Sequence, residues 1–234
     1  MITDICVMHI LVTAATTLEI QPTIQFLEQQ GSRLAGHEIR LLTTGVGQVA
    51  TLYSLLKQRS DPSPNLVIQA GIAGCFTGKQ AGETVVVKEE MLDLGVWEEG
   101  RFRNIFDLGL ANPDAFPFTS GLLVNPYQQL MNLSNVQQVR GISVNEITTD
   151  PSRIGWLQQN LSPVVESMEG GAFHYSCLQE GLPFLQIRSI SNAIGIRDKT
   201  KWDIPAAIKG LNERLIGLLT QLSRENESIL EISV

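Results

Sequence analysis

Apolar residues along this chain come in short blocks that alternate with amphipathic stretches. Residues 9–14, HILVTA, form a nearly uninterrupted apolar run that reads as a buried strand. Residues 19–30 place Ile20, Ile24 and Leu27 on one helical face. Residues 37–43 alternate as a strand does, and Gly45-Val46-Gly47 follows, then a helix through Val49, Leu52, Leu55 and Leu56. The run LVIQA at 66–70 predicts a strand ending at Gly71, and 84–89 predicts another. A turn-rich stretch with Pro113 and Pro117 shows no period. Strand-like segments return at 139–144 and 184–190. Between them, Val164 and Val165 lead into Met168 and a helix over 170–179. A last amphipathic helix opens at Asp203 or Ile204, with Pro205 near its start, and runs through Leu222.

Strands alternating with helices predict an α/β fold, with a largely parallel sheet covered on both faces. Such sheets bind ligands at the carboxyl ends of their strands, which is where Gly45 and Gly47, and then Gly71 and Gly74, fall. With 234 residues, one domain spanning 1–234 is expected. A composition of 43% hydrophobic and 18% charged residues is that of a globular chain and sets aside disorder and coiled coil. The net charge of −7, with 17 scattered Lys and Arg, argues against a nucleic-acid partner. Cys6, Cys75 and Cys177 are odd in number and widely spaced, which fits a reducing cytoplasm. The apolar N-terminal run is preceded by Asp4, lacks flanking Lys or Arg and closes at Glu19, so it reads as a strand and not as a signal peptide. No apolar stretch is long enough to span a membrane. His9, His37 and His174 have no metal-ligand spacing, and neither metal nor cofactor is expected.

Three motifs carry candidate chemistry. In Gln69-Ala-Gly71-Ile-Ala-Gly74 the glycines either let backbone N–H groups approach a ligand or simply make a tight turn. No G-K-[ST] follows, and the dinucleotide-binding glycine spacing is absent. In Val165-Glu166-Ser-Met168-Glu169-Gly-Gly-Ala172 a carboxylate at a strand-to-helix junction suits vicinal hydroxyls, since it accepts two hydrogen bonds at once. The alternative is an acid answering a helix dipole. In Arg188-Ser-Ile-Ser191-Asn192 the asparagine offers a donor and an acceptor on one side chain, for a ligand or for a local turn.

Together these motifs resemble those of the nucleoside phosphorylase and nucleosidase superfamily, and within it most closely the futalosine hydrolases. The resemblance rests on T-G-V-G at 44–47, A-G-I-A-G at 70–74, V-E-S-M-E-G-G-A-F at 165–173, S-I-S-N at 189–192 and W-D-I-P at 202–205. It implies a single domain with a central mixed, barrel-like sheet flanked by helices, working as a homo-oligomer, with a dimer favoured. It implies an N-ribosidic hydrolase that releases hypoxanthine from futalosine, in an alternative route to menaquinone.

By the same resemblance, Met168 and Glu169 hold the ribose, with Glu169 near the positive charge of an oxocarbenium-like transition state. Ser191 and Asn192 face the base. Adenine-cleaving relatives carry Ser-Asp there. The amide N–H₂ of Asn192 suits the N7 and O6 acceptors of a 6-oxopurine better than a carboxylate does. Phosphorolytic relatives have an Arg where this chain has Gln69, so water is the expected nucleophile. Glu19 is the candidate for positioning it, or else a plain helix-start acid, with Glu166 in reserve. Gly45, Gly71 and Gly74 are expected to line the substrate. Arg197 or Lys199 is expected to meet the carboxylate on the substrate's 5′ side, although both also fit as surface charges. Competing readings are a nucleosidase acting on methylthioadenosine, S-adenosylhomocysteine or aminodeoxyfutalosine, a purine nucleoside phosphorylase, and a non-catalytic nucleoside binder.

Overall fold

The computed structural model describes residues 7–30, 33–34, 36–58, 62–222, 225 and 227–232. Cys6 and Asp4 lie outside these residues. The strands are β1 (His9–Ala14), β2 (Arg33–Leu34), β3 (His37–Thr43), β4 (Leu66–Cys75), β5 (Thr84–Leu92), β6 (Gly95–Glu98), β7 (Arg101–Asn104), β8 (Leu123–Val124), β9 (Gln137–Ser143), β10 (Val165–Ser167) and β11 (Phe184–Ala193). The helices are α1 (Thr17–Gln30), α2 (Gln48–Lys57), α3 (Gln128–Leu133), α4 (Pro151–Asn160), α5 (Gly170–Gln179) and α6 (Ile204–Leu222).

The main sheet runs β10-β9-β5-β11-β4-β1-β3-β2, with β8 on β5. It then closes on itself. Val165 and Glu166 of β10 pair antiparallel with Cys75 and Gly74 of β4, so β4, β11, β5, β9 and β10 form a five-stranded barrel. β1, β3 and β2 extend from it as an open wing. This is the mixed, barrel-like α/β fold with flanking helices that the resemblance implied. The largely parallel sheet suggested by strand–helix alternation is corrected: β11–β5, β10–β4, β5–β8 and β2–β3 are antiparallel. Alternation speaks to connections, whereas ring closure brings distant segments together in either direction.

The apolar runs are buried as their composition requires. Ile10, Leu11, Val12, Leu66, Val67 and Ile68 join Phe184, Leu185 and Ile187 in the main core. α6 presents Leu211, Leu215, Leu218, Leu219 and Leu222 to it at helical spacing. β4 continues through Gly71 and Gly74 to Cys75 instead of ending at Gly71. Both glycines lie within the strand because space is short there. A Cβ on Gly71 would press on the Arg188 guanidinium, and one on Gly74 on Ile194. The aperiodic region hides a hairpin, β6–β7, turned at Glu99 and Gly100, both at positive φ. A further helix absent from the sequence reading, α4, lies between β9 and β10, and its Asp150 side chain caps it at 2.8 Å from the Arg153 amide.

α2 departs from the usual pattern. Of its residues only Thr51 is buried, and Val49 and Tyr53 are 82% and 61% exposed. With Val46, Leu52 and Leu56 they make an apolar face open to solvent.

Candidate functional site

The carboxyl ends of β1, β4, β10 and β11 open onto a cavity of about 530 Å³. The loops after β1, β3, β9 and β11 and the start of α6 complete its wall with Thr16, Val46, Ile147, Trp202 and Ile208. Of the residues singled out from sequence, Glu19, Glu166, Met168, Glu169, Gly74, Ser191, Asn192 and Lys199 line it together. Gly45, Gly71 and Arg197 stand outside that lining. Gly45, at φ +86°, ties its loop to the end of β1 through its amide and the Ala15 carbonyl, 3.1 Å. Gly71 backs the wall, leaving room for Arg188 and Glu19. The Arg197 guanidinium packs over the Trp202 ring, 5.8 Å from its centre.

Glu169 is the N-cap residue of α5 and is almost wholly buried. Its Oε1 accepts from the Gly47 amide at the start of α2, 3.1 Å, a favourable place for an anion. Its Oε2 faces Arg188 Nη1 at 3.4 Å. Arg188 is fully buried on β11, and its Nη2 donates to Gln69 Oε1 at 2.8 Å. One carboxylate, one guanidinium and one amide therefore form a fixed chain behind the cavity. A charge this deep is tolerated only because it is paired.

Glu19 sits in the first turn of α1. Its Oε2 accepts from the amide and hydroxyl of Thr16, at 2.9 and 3.0 Å, which is half of a capping box. Its Oε1 accepts from the Ile72 amide of β4 at 3.1 Å. The helix-start acid and the cavity acid are thus one residue. Behind it, Asn212 of α6 holds the α1 backbone. It donates to the Glu19 carbonyl, 2.8 Å, and accepts from the amide and hydroxyl of Thr23, 3.0 and 2.6 Å.

At the other side of the cavity Ser191 donates its hydroxyl to Asn192 Oδ1 at 2.7 Å. Asn192 Nδ2 donates to the Ala193 carbonyl at 2.9 Å, leaving its second N–H for a ligand. A further buried acid, Glu90 on β5, lies under α5. Its Oε1 accepts from Ser143 Oγ at 2.9 Å, and Ser143 in turn accepts from the Gly171 amide at 2.6 Å. Burial pushes Glu90 up to about 7, against the pull of Arg188, Ser143 and Gln186. His174, buried on α5, is pushed down to about 3 and stays neutral.

Sequence reasoning missed Glu90, Asn212 and the bond between Gln69 and Arg188. Isolated polar residues inside apolar runs, such as the Gln of LVIQA and the Arg of FLQIRSIS, were the available signal. Among the described residues, no three His, Cys, Asp or Glu side chains gather as metal ligands, and no helix is long and apolar enough to cross a membrane.

At one end of the closed mixed barrel the fold thus gathers an acid, an amide and a glycine-bearing strand around one cavity. The chain belongs to the phosphorylase superfamily, whose profile matches residues 9–224. It is 28% identical over 212 residues to the futalosine hydrolase of Thermus thermophilus, covering 88% of this chain and 91% of that one. It is 26% identical over 200 residues to the 5′-methylthioadenosine/S-adenosylhomocysteine nucleosidase of Tolumonas auensis, covering 81% and 84%. Its fold is similar to that of a 5′-methylthioadenosine/S-adenosylhomocysteine nucleosidase from Colwellia psychrerythraea in complex with adenine. That comparison has a TM-score of 0.76 at 17% identity and covers 94% of this chain and 98% of the other.

Proposed function

We propose that this chain is an N-ribosidic hydrolase that releases hypoxanthine from futalosine. The observation that carries this is the Asn192 amide, anchored by Ser191 and Ala193 with one N–H still free at the cavity wall. That N–H suits the acceptors N7 and O6 of a departing 6-oxopurine, where a carboxylate would repel them. Glu169 takes the ribose hydroxyls, with Met168 beside it, and its charge opposes the positive charge developing on the sugar. Glu19 holds the attacking water. Its two oxygens are oriented by three donors, so it meets the water without reorganising.

Water is favoured over phosphate by the lining. Lys199 is the one cation of the cavity wall among the described residues, and Arg188 behind the wall is already committed to Glu169 and Gln69. A phosphate dianion would need more fixed positive charge than that. Lys199, with Arg197 nearby on the same loop, is assigned to the carboxylate on the substrate's 5′ side. The open apolar face of α2 is assigned to a second copy of the chain, as a homodimer. The buried free thiols Cys75 and Cys177 suit a cytoplasmic setting.

The second reading is a nucleosidase that releases adenine, favoured by the likeness to relatives named for methylthioadenosine and S-adenosylhomocysteine. The test is to offer futalosine, aminodeoxyfutalosine, methylthioadenosine and inosine, with and without phosphate, and to identify the released base. Phosphate-independent release of hypoxanthine from futalosine is the expected result. Preferential release of adenine selects the second reading, and a phosphate requirement refutes hydrolysis.

A further inference from the structure

Two acids share the start of α5, and only one of them has a part in the chemistry described so far. Glu169 is the N-cap residue of the helix and lines the cavity. Glu90, near the end of β5, lies beneath the same turn and is 1% exposed. It meets that turn at two points. Its Oε1 accepts from Ser143 Oγ at 2.9 Å, and the same hydroxyl oxygen accepts from the Gly171 amide at 2.6 Å. Its Oε2 stands with Gln186 Nε2 over Gly170, at 2.6 and 2.5 Å from the place a Cβ would take. Gly170 thus lets a carboxyl group reach the helix start from below, one residue away from Glu169.

One cation serves both acids. Arg188 Nη1 pairs with Glu169 at 3.4 Å, long for a charged pair, and Arg188 also pulls the Glu90 pKa down. Its Nη2 is taken by Gln69, while its Nε is buried without a hydrogen-bond partner. The guanidinium therefore has a donor to spare and a loose hold on Glu169. The other elements packed against β5 bring no further charge to Glu90 among the described residues. His174 of α5 is buried and neutral, and β8 sets Leu123 beside it. Arg140 of β9 is committed to Glu89, while Lys209, Glu213 and Arg214 of α6 bond elsewhere. In a dry interior one positive charge does not balance two carboxylates. The deeper acid is the one that burial drives toward its protonated form.

We infer that Glu90 is a positioning residue for Glu169. Neutral, it braces the first turn of α5 and leaves Arg188 to the cavity acid. Ionised, it draws Arg188 inward, sets a second negative charge beside Glu169 and lets that carboxylate drift from the sugar. The active form is the one in which the deep acid keeps its proton, and turnover slows as that proton is lost. This inference rests on the reading of Glu169 as the sugar-binding acid given above.

The test is the pH dependence of kcat/KM from pH 6 to 8.5, taken with whichever of the four nucleosides named above is cleaved. Glu90 titrates at about 7. Its neutral form then falls to about 3% by pH 8.5, and wild-type kcat/KM is expected to drop about 10- to 30-fold across the range. E90Q has no proton to lose there, and the drop is expected to shrink below about 2-fold. Ser143→Ala is an independent variant. The Ser143 hydroxyl favours the ionised acid, so its removal is expected to move the midpoint up by about one pH unit. A merely structural role moves neither the drop nor the midpoint. A flat wild-type profile overturns the role of Glu90. So does a drop that persists in E90Q or, where E90Q does not fold, a midpoint that Ser143→Ala leaves in place. E169Q keeps the two readings apart. Activity retained in E169Q refutes the sugar role of Glu169 and this inference with it, whereas an inactive E169Q beside an unaltered E90Q profile removes Glu90 alone.

Discussion

Asn212 offers the sharpest link between packing and chemistry. It is 2% exposed on α6, and its amide makes four hydrogen bonds. Two are accepted from Thr23, and two are donated, to the carbonyls of Glu19 and Ile208 at 2.8 and 2.7 Å. Replacement by leucine keeps the volume and removes all four. The Thr23 amide and the Glu19 carbonyl lie four residues apart in one helix, so part of the loss is recovered by closing the helical bond between them. The Thr23 hydroxyl is left to share that same carbonyl, and Thr23 is fully buried. One to two orphaned buried groups at about 1–3 kcal/mol each predict a loss of about 2–4 kcal/mol. That is a large share of a total of about 5–15 kcal/mol. Chemical denaturation measures it. Because the same bonds fix the turn that carries Glu19, the proposed water-positioning role of that residue predicts that kcat falls about 10-fold or more while KM changes little. A variant that loses less than about 0.5 kcal/mol and keeps wild-type kcat would refute the reasoning.

Three further outcomes are expected. Glu90 titrates near 7 in the folded chain against an ordinary 4.5. The folded state therefore binds more protons than the unfolded one between these values, and stability falls as pH rises through that window, by up to about 3 kcal/mol. Glu90→Gln should flatten that slope in denaturation curves taken from pH 4.5 to 7.5, and parallel curves would dismiss the idea. Gly71→Ala sets a methyl against the Arg188 guanidinium and 3.2 Å from Glu19 Oε1. It should cost about 1–3 kcal/mol and most of the activity, so unchanged Tm and kcat would count against the packing argument. Asn192→Asp should move the kcat/KM ratio about 10-fold or more toward 6-amino nucleosides, and an unmoved ratio would remove Asn192 from base recognition.

The local elements were readable in the chain because their signals are local. The run HILVTA became β1 with the boundaries its composition marks, and the heptad-like leucines of 211–222 became the buried face of α6. Ring closure was legible only through the family resemblance and not from the pattern of the chain. The pairing of β10 with β4 joins segments about ninety residues apart through two register pairs, and no periodicity reports it. The signals for β6–β7 and α4 were present and missed: an acidic-glycine turn at Glu99-Gly100, and Asp150-Pro151 at a helix start. At the site, the family resemblance named Glu169, Ser191 and Asn192, which residue type alone left open, and the fold brings them to one cavity. What it could not name were residues defined by their partners. Gln69 and Asn212 are ordinary amides until Arg188 and Thr23 are set beside them.

The seam of the barrel sets a limit on how this chain can vary in length. β10 is three residues long, and its middle residue faces the cavity while Glu169 follows three positions later. Strand side chains alternate, so one inserted or deleted residue between Val165 and Glu169 would turn Glu166 out of the cavity and pull the Glu169 carboxylate off the start of α5. The hairpin tip at Glu99-Gly100, exposed and far along the chain from these residues, carries no such restriction. Additions that enlarge or reshape the mouth of the pocket are accordingly expected in loops of that kind, with the three-residue staple keeping its count.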